Sequence, residues 1–120
     1  MTYRIPLRDL EAQFVTLNSE RSYNIEDQRN LDDRMQGLWF TCPCHFAENG
    51  YSDIGVHKIL CWFRDRGVPD DVTPGPGRWW PVGTTIDDLS FDYGNPQMPK
   101  SVAADCHFFI KNGHASENDD

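Results

Sequence analysis

The chain has 120 residues, a mass of 13.8 kDa, 11 Lys and Arg against 19 Asp and Glu, a net charge of −8 and a pI near 4.8. One domain is the natural unit at this length, and the acidic balance excludes a protein that grips a nucleic-acid backbone through a basic face. No apolar run reaches the roughly 18 residues of a spanning helix, and the N-terminal stretch has no apolar signal core, so a cytoplasmic or virion protein without a membrane segment is expected.

Leu7, Leu10, Phe14 and Leu17 recur at steps of three and four residues, which predicts an N-terminal helix with Pro6 in its first turn. The polar stretch 22–36 has Asn24 as a candidate cap and Gly37 as a candidate stop, with a short helix expected over 30–36. From Leu38 onward the residues favour strands. Residues 38–41 and 56–63 read as strands; in the second, His57, Ile59, Cys61 and Phe63 share one face and Val56, Lys58, Leu60 and Trp62 the other. The Pro/Gly-rich stretch 67–77 is a loop, and Pro81 confines a strand over 78–82 to a sheet edge. Strands are expected over 85–93, 101–103 and 106–111, and Asn112-Gly113 is the strongest hairpin signal in the chain. The resulting fold class is α+β and mostly β: an N-terminal helix followed by a small antiparallel β-sandwich or open barrel stapled by a metal. One domain spans 1–115, with a helical segment 1–36 and a β core 37–115, and 116–120 is an acidic tail without fixed structure.

A mean hydropathy of −0.64 implies a thin core, to which 4 Trp, 4 Tyr and 7 Phe add area and for which a staple is expected. Four Cys and four His can supply one. Without a secretory signal a metal is favoured over a disulfide framework, and zinc suits sulfur and nitrogen donors. Cys42-Pro43-Cys44, on extended backbone at a strand end, would point both sulfurs to one side. The expected ligands are Cys42, Cys44, His57 and Cys106, a set that clamps distant strands, with His107 and Cys61 in reserve. Cys61 also reads as core, His45 and His114 read as solvent-facing loop residues, and His107 would face away from Cys106 on a regular strand. Four unrelated reduced cysteines, or disulfide pairs, are the alternatives.

Cys42-Pro43-Cys44, His57, Trp79 or Trp80 with Gly83-Thr84, the Asp87-Asp88-Leu89-Ser90-Phe91 run, Ser101-Val102 and the closing Cys106-His107-Phe108-Phe109-Ile110-Lys111-Asn112-Gly113 together span residues 37–114. This pattern resembles a family of small phage- and prophage-encoded zinc-binding-like proteins of unassigned activity. The resemblance implies a zinc-stapled, mostly β domain of phage origin. The chain departs from the pattern in lacking a proline before Ser101 and in carrying the long loop 68–77, both of which bear on any shared ligand surface.

The chain has no H-E-x-x-H, no deaminase H-x-E with P-C-x-x-C, no G-x-S-x-G and no P-loop, so no enzyme frame is recognisable. The carboxylates Glu48, Asp53, Asp87, Asp88 and Asp105 are candidate partners for a catalytic metal; a zinc-dependent hydrolase would use Asp88 or Glu48 as its base. Arg78, Trp79 and Trp80 form a candidate partner-binding surface, and a sugar-binding virion module centred on either tryptophan is a further reading. The charge of −8 also suits an acidic inhibitor of a host nuclease or defence complex. The expectation chosen from these is a phage-related zinc protein that acts as a non-catalytic interaction module, with a phage or host protein as partner and no direct contact with nucleic acid.

Overall fold

In the computed structural model, which describes residues 3–74, 78–92, 102–103 and 107–117, the N-terminal segment is strand rather than helix. Strand β1 (Arg4–Pro6) runs into a single 3-10 turn over Leu7–Leu10, and β2 (Gln13–Leu17) follows. The helical spacing is genuine only for Leu7 and Leu10, which lie on the inner side of that turn and are fully buried. Glu11 then adopts a left-handed conformation (φ 54°) and ends the turn. Beyond it the side chains alternate: Ala12 and Phe14 enter the main core, while Val15 and Leu17 pack on the opposite side of the sheet. A strand that is apolar on both faces can place apolar residues at helical intervals, which is why the pattern misleads.

The expected helix over 30–36 is also absent. Strand β3 (Tyr23–Ile25) pairs with β2, Asn30 bridges to Thr85, and Arg66 donates through Nη1 to the carbonyls of Asp32 (2.6 Å) and Met35 (3.1 Å). Gln36 N–H donates to the carbonyl of Val15. These partners satisfy the backbone that a helix would have satisfied with its own ladder, and Met35 is buried as a result.

Strands β4 (Gly37–Thr41) and β5 (Lys58–Trp62) complete a four-stranded sheet in the order β3-β2-β4-β5. The one α-helix among the described residues, α1 (Pro43–Glu48), lies between β4 and β5. Strands β6 (Trp80–Val82) and β7 (Ser90–Asp92) form a two-stranded ribbon, where Pro81 occupies the edge position expected of it. Strands β8 (Val102–Ala103), β9 (His107–Lys111) and β10 (His114–Ser116) join β1 in a second four-stranded sheet, ordered β1-β10-β9-β8. All of these pairings are antiparallel. The two larger sheets share one core, where Phe40 of β4 meets Phe108 of β9 edge to face with centroids 5.8 Å apart. A second cluster, Val15, Trp62 and Val72, covers the other face of the first sheet, and Trp62 Nε1–H donates to the carbonyl of Thr73. Among the described residues no helix is long and apolar enough to cross a membrane.

The Asn112-Gly113 hairpin forms between β9 and β10 with both residues at positive φ (51° and 76°), as a type I′ turn demands. The stretch expected as a strand over 85–93 is instead a 3-10 turn at Ile86–Asp88 followed by β7. A reciprocal cap holds that turn: Thr85 Oγ1 accepts the Asp87 N–H, and Asp88 Oδ1 accepts the N–H groups of Thr84 and Thr85. At the C-terminus, Ser116 belongs to β10 and pairs with Arg4, and Glu117 N–H donates to Tyr3, so the fixed structure extends past the expected start of the tail.

The cap gives a pH prediction. Donation from the Thr85 and Thr84 N–H groups, then from the Thr84 hydroxyl, holds the Asp88 carboxyl below its ordinary range. A lowered folded-state pKa stabilises the fold above the unfolded value and loses that contribution as pH falls through the folded one. Asp88→Asn is therefore expected to lower Tm by a few degrees at neutral pH. The gap from wild type should close in acid; a gap independent of pH would show that the charge of the cap does not matter.

Candidate metal centre

The centre is built where β4 hands over to α1. Cys42 N–H donates to the carbonyl of His57 (3.0 Å), tying the end of β4 to the approach to β5. Pro43 then opens the helix, a position where its missing N–H costs nothing and its fixed φ is already helical. The Cys42 carbonyl accepts the Phe46 N–H (2.9 Å). Cys42 is thus the residue before the first turn and Cys44 lies inside it, so C-P-C is not on extended backbone as the sequence suggests. The bend still brings the sulfurs together, with Cys42 Sγ 3.6 Å from Cys44 Sγ.

The same turn carries His45 to the sulfurs. One donor atom from each of Cys42, Cys44 and His45 lies within 4.8 Å of the others. A tetrahedral zinc with bonds of about 2.3 Å holds two sulfurs about 3.8 Å apart, so the observed separation is close to one edge of such a site. Cys42 is fully buried, Cys44 and His45 are half-buried, and His45 Nδ1 is out of reach of solvent. The surroundings are electronegative. The Tyr3 hydroxyl is pushed up to about 12, first by burial and then by Glu117, Cys42 and Glu48.

Of the four ligands expected from sequence, Cys42 and Cys44 meet in this cluster. His57 stands beside it, its ring edge-on to that of His45 with centroids 5.0 Å apart. Cys106 lies outside the described residues. His45, read from sequence as a solvent-facing loop residue, is the histidine inside the cluster, and a C-P-C-H run read as a helix start would have pointed to it. The reserve ligands do not join it. Cys61 is packed in the core of β5, where burial pushes its thiol well above the ordinary range, and His107 is exposed on β9. His114 Nδ1 lies 2.9 Å from the carbonyl of Asn112 in the hairpin.

Cys42 and Cys61 carry thiols.

The candidate partner surface needs correction. Arg78 is 2% exposed, and its guanidinium donates inward, from Nη1 to the carbonyl of Pro74 and from Nη2 to those of Pro69 and Val72. Trp79 is buried and stacked on Phe91, with centroids 5.7 Å apart. Trp80 is half-buried in β6 with its Nε1 shielded from solvent, so the pair does not form an exposed aromatic platform. Among the candidate bases, Asp88 holds the cap of its own turn and Asp87 accepts a hydrogen bond from Arg29 (2.8 Å). Glu48 is exposed at the end of α1, and Asp105 is outside the described residues. No protein-family model, curated protein or solved structure matches this chain.

Proposed function

We propose that the protein is a zinc-binding β module in which the metal staples the β4–α1 junction of an antiparallel sandwich, and that it acts by docking to another protein rather than by catalysis. The observation that carries the reading is the meeting of Cys42, Cys44 and His45 within 4.8 Å, with the two sulfurs at near-tetrahedral spacing. Among the described residues that cluster contains no carboxylate to serve as a general base, which favours a structural metal over a hydrolytic one. Docking is supported by the loop after α1. Asn49 Nδ2 donates to the carbonyls of Ser52 and Ile54, and on this braced loop Tyr51 is 53% and Ile54 82% exposed. Beside it lies a groove of about 620 Å³ edged by Asp9 and Asp53 as well as Arg4. With a net charge of −8, the partner we infer is a phage or host protein that presents an apolar patch with a basic rim.

Elemental analysis and native mass spectrometry of the reduced protein should find one zinc per chain, with Tm falling on chelation. Cys42→Ser should lose the zinc and lower Tm by more than a surface substitution would; unchanged metal content and unchanged Tm would refute the staple. Ile54→Asp should keep both zinc and Tm yet lose the proteins that the wild type captures. An identical captured set would remove this loop as the contact.

A further inference from the structure

The groove beside the loop after α1 has a sheet edge for one wall. Strand β1 ends the order β1-β10-β9-β8, so only one of its sides is paired. On that side Glu117 N–H donates to the Tyr3 carbonyl (3.3 Å) and Leu7 N–H donates to the Gly113 carbonyl (2.8 Å), with Ile5 opposite Ala115 between them. Main-chain groups alternate in direction along a strand, so those of Arg4 point the other way. Arg4, Ile5 and Pro6 line the groove, and the Arg4 N–H and carbonyl have no hydrogen-bond partner among the described residues. Pro6 has no N–H to offer, so the free edge is one residue pair long. Side chains must supply the rest of any affinity.

The opposite wall carries them. Phe46 and Tyr51 meet edge to face with centroids 5.9 Å apart, and both line the groove, Tyr51 as an exposed residue at φ 61°. Asp9 and Asp53 line it with Arg4 as the only cation, which leaves one excess negative charge. None of the three is in an ion pair among the described residues. A single guanidinium balances that excess, forks to carboxylate oxygens and stacks on a tyrosine face. Resting on the docking reading above, we propose that the partner enters this groove as an extended segment, adds to the free edge of β1 at Arg4, and places one arginine among Asp9, Asp53 and Tyr51. Strand addition of this kind takes affinity from the main chain and specificity from alternate side chains. A second copy of the chain suits the edge less well, because β1 pairing with itself sets Arg4 near Arg4 and joins two proteins of charge −8.

The experiment pans a displayed library of random heptapeptides against the full chain. Enriched peptides should share an arginine at one position. The best of them, made synthetically, should bind the double variant Asp9→Asn, Asp53→Asn at least about tenfold more weakly than wild type, the lower end for losing a hydrogen bond to a charged group. N-methylation of its amides one at a time should weaken binding at the residue that donates to Arg4 and spare the residues on either side. The Arg4 amide should gain protection from hydrogen exchange in the complex. No enrichment, enrichment without arginine, or equal affinity for the double variant overturns the proposal. Equal losses along the N-methyl series, or an unprotected Arg4 amide, overturns strand addition. A concentration-dependent dimer that protects Arg4 gives the edge to a second copy and overturns it as well. The Ile54→Asp capture separates this inference from the reading beneath it. If that variant loses the captured proteins and no peptide enriches, docking stands and strand addition falls; if the captured set is unchanged and no peptide enriches, both fall.

Discussion

Gly113→Ala is expected to prevent stable folding, by roughly 4 kcal/mol or more, at the tail of single-substitution effects. Two penalties apply, and they differ in size. Holding alanine at φ 76° costs only about 1–2 kcal/mol. The larger penalty is steric, because a Cβ built there would lie 2.0 Å from the carbonyl oxygen of Asp87, a backbone atom that cannot swing aside. To make room, the hairpin must withdraw from the turn preceding β7. That movement breaks the hydrogen bond from Gly113 N–H to the Leu89 carbonyl and the one from Leu7 N–H to the Gly113 carbonyl, both 2.8 Å. One residue thus joins the end of β9, the 3-10 turn after β1 and the capped turn at Ile86–Asp88. Circular dichroism and the urea midpoint of the soluble fraction check this. A variant with near-native stability would mean that the close approach relaxes freely. Asn112→Gly, at the neighbouring positive-φ position, should be tolerated and separates the collision from the conformational preference.

The second large effect is expected at Arg78. Arg78→Lys should lower stability by roughly 3 kcal/mol, because hydrogen bonds to a charged group contribute about 1.5–3 kcal/mol each and an unsatisfied buried acceptor costs about as much. The guanidinium reaches the carbonyls of Pro69, Val72 and Pro74 together, as a planar fork can. A lysine ammonium is a single point on a flexible stem and cannot span the three. Burial lowers the pKa of Arg78, yet a guanidinium starts so high that it stays charged, another property lysine does not share in a buried site. The same loop supplies Val72 to the second cluster and the Thr73 carbonyl to Trp62, so its release should also expose that face of the first sheet. Urea denaturation measures the loss, and limited proteolysis should place the first new cleavage within 69–74. Unchanged stability in Arg78→Lys would show that the inward hydrogen bonds are replaceable by water.

These two predictions concern residues that the sequence presents very differently. Asn112-Gly113 between two apolar runs is local chemistry, and the hairpin it specifies forms as expected. Strands β4 and β5 are likewise legible, because branched and aromatic residues alternate over lengths that suit strands and nothing nearby breaks them. Pro81 at an edge follows from a missing N–H. Arg78 looks like a surface cation next to two tryptophans, and only the folded loop shows that its charge is turned inward onto carbonyls contributed by the preceding residues.

At the candidate centre, C-P-C marked the site by composition alone, since two sulfurs so close in sequence remain close in any conformation. The choice of histidine was not available in the same way. It depends on whether the chain after Cys42 extends or coils, and the coil decides for His45 while a backbone bond from Cys42 leaves His57 at its side. The N-terminal segment has the same cause. Its apolar spacing fits a helix and equally fits a turn followed by a strand buried on both faces, and neither face is buried until the second sheet packs on one and Val68 and Val72 on the other. The sequence by itself determined the mostly β class, the closing hairpin, the strands on either side of the metal candidate and the location of its sulfurs, all set by residues within a few positions of one another. Tertiary structure alone decided the fate of residues 7–17, the inward turn of Arg78 and the histidine that completes the cluster, because each depends on what distant parts of the chain bring against it.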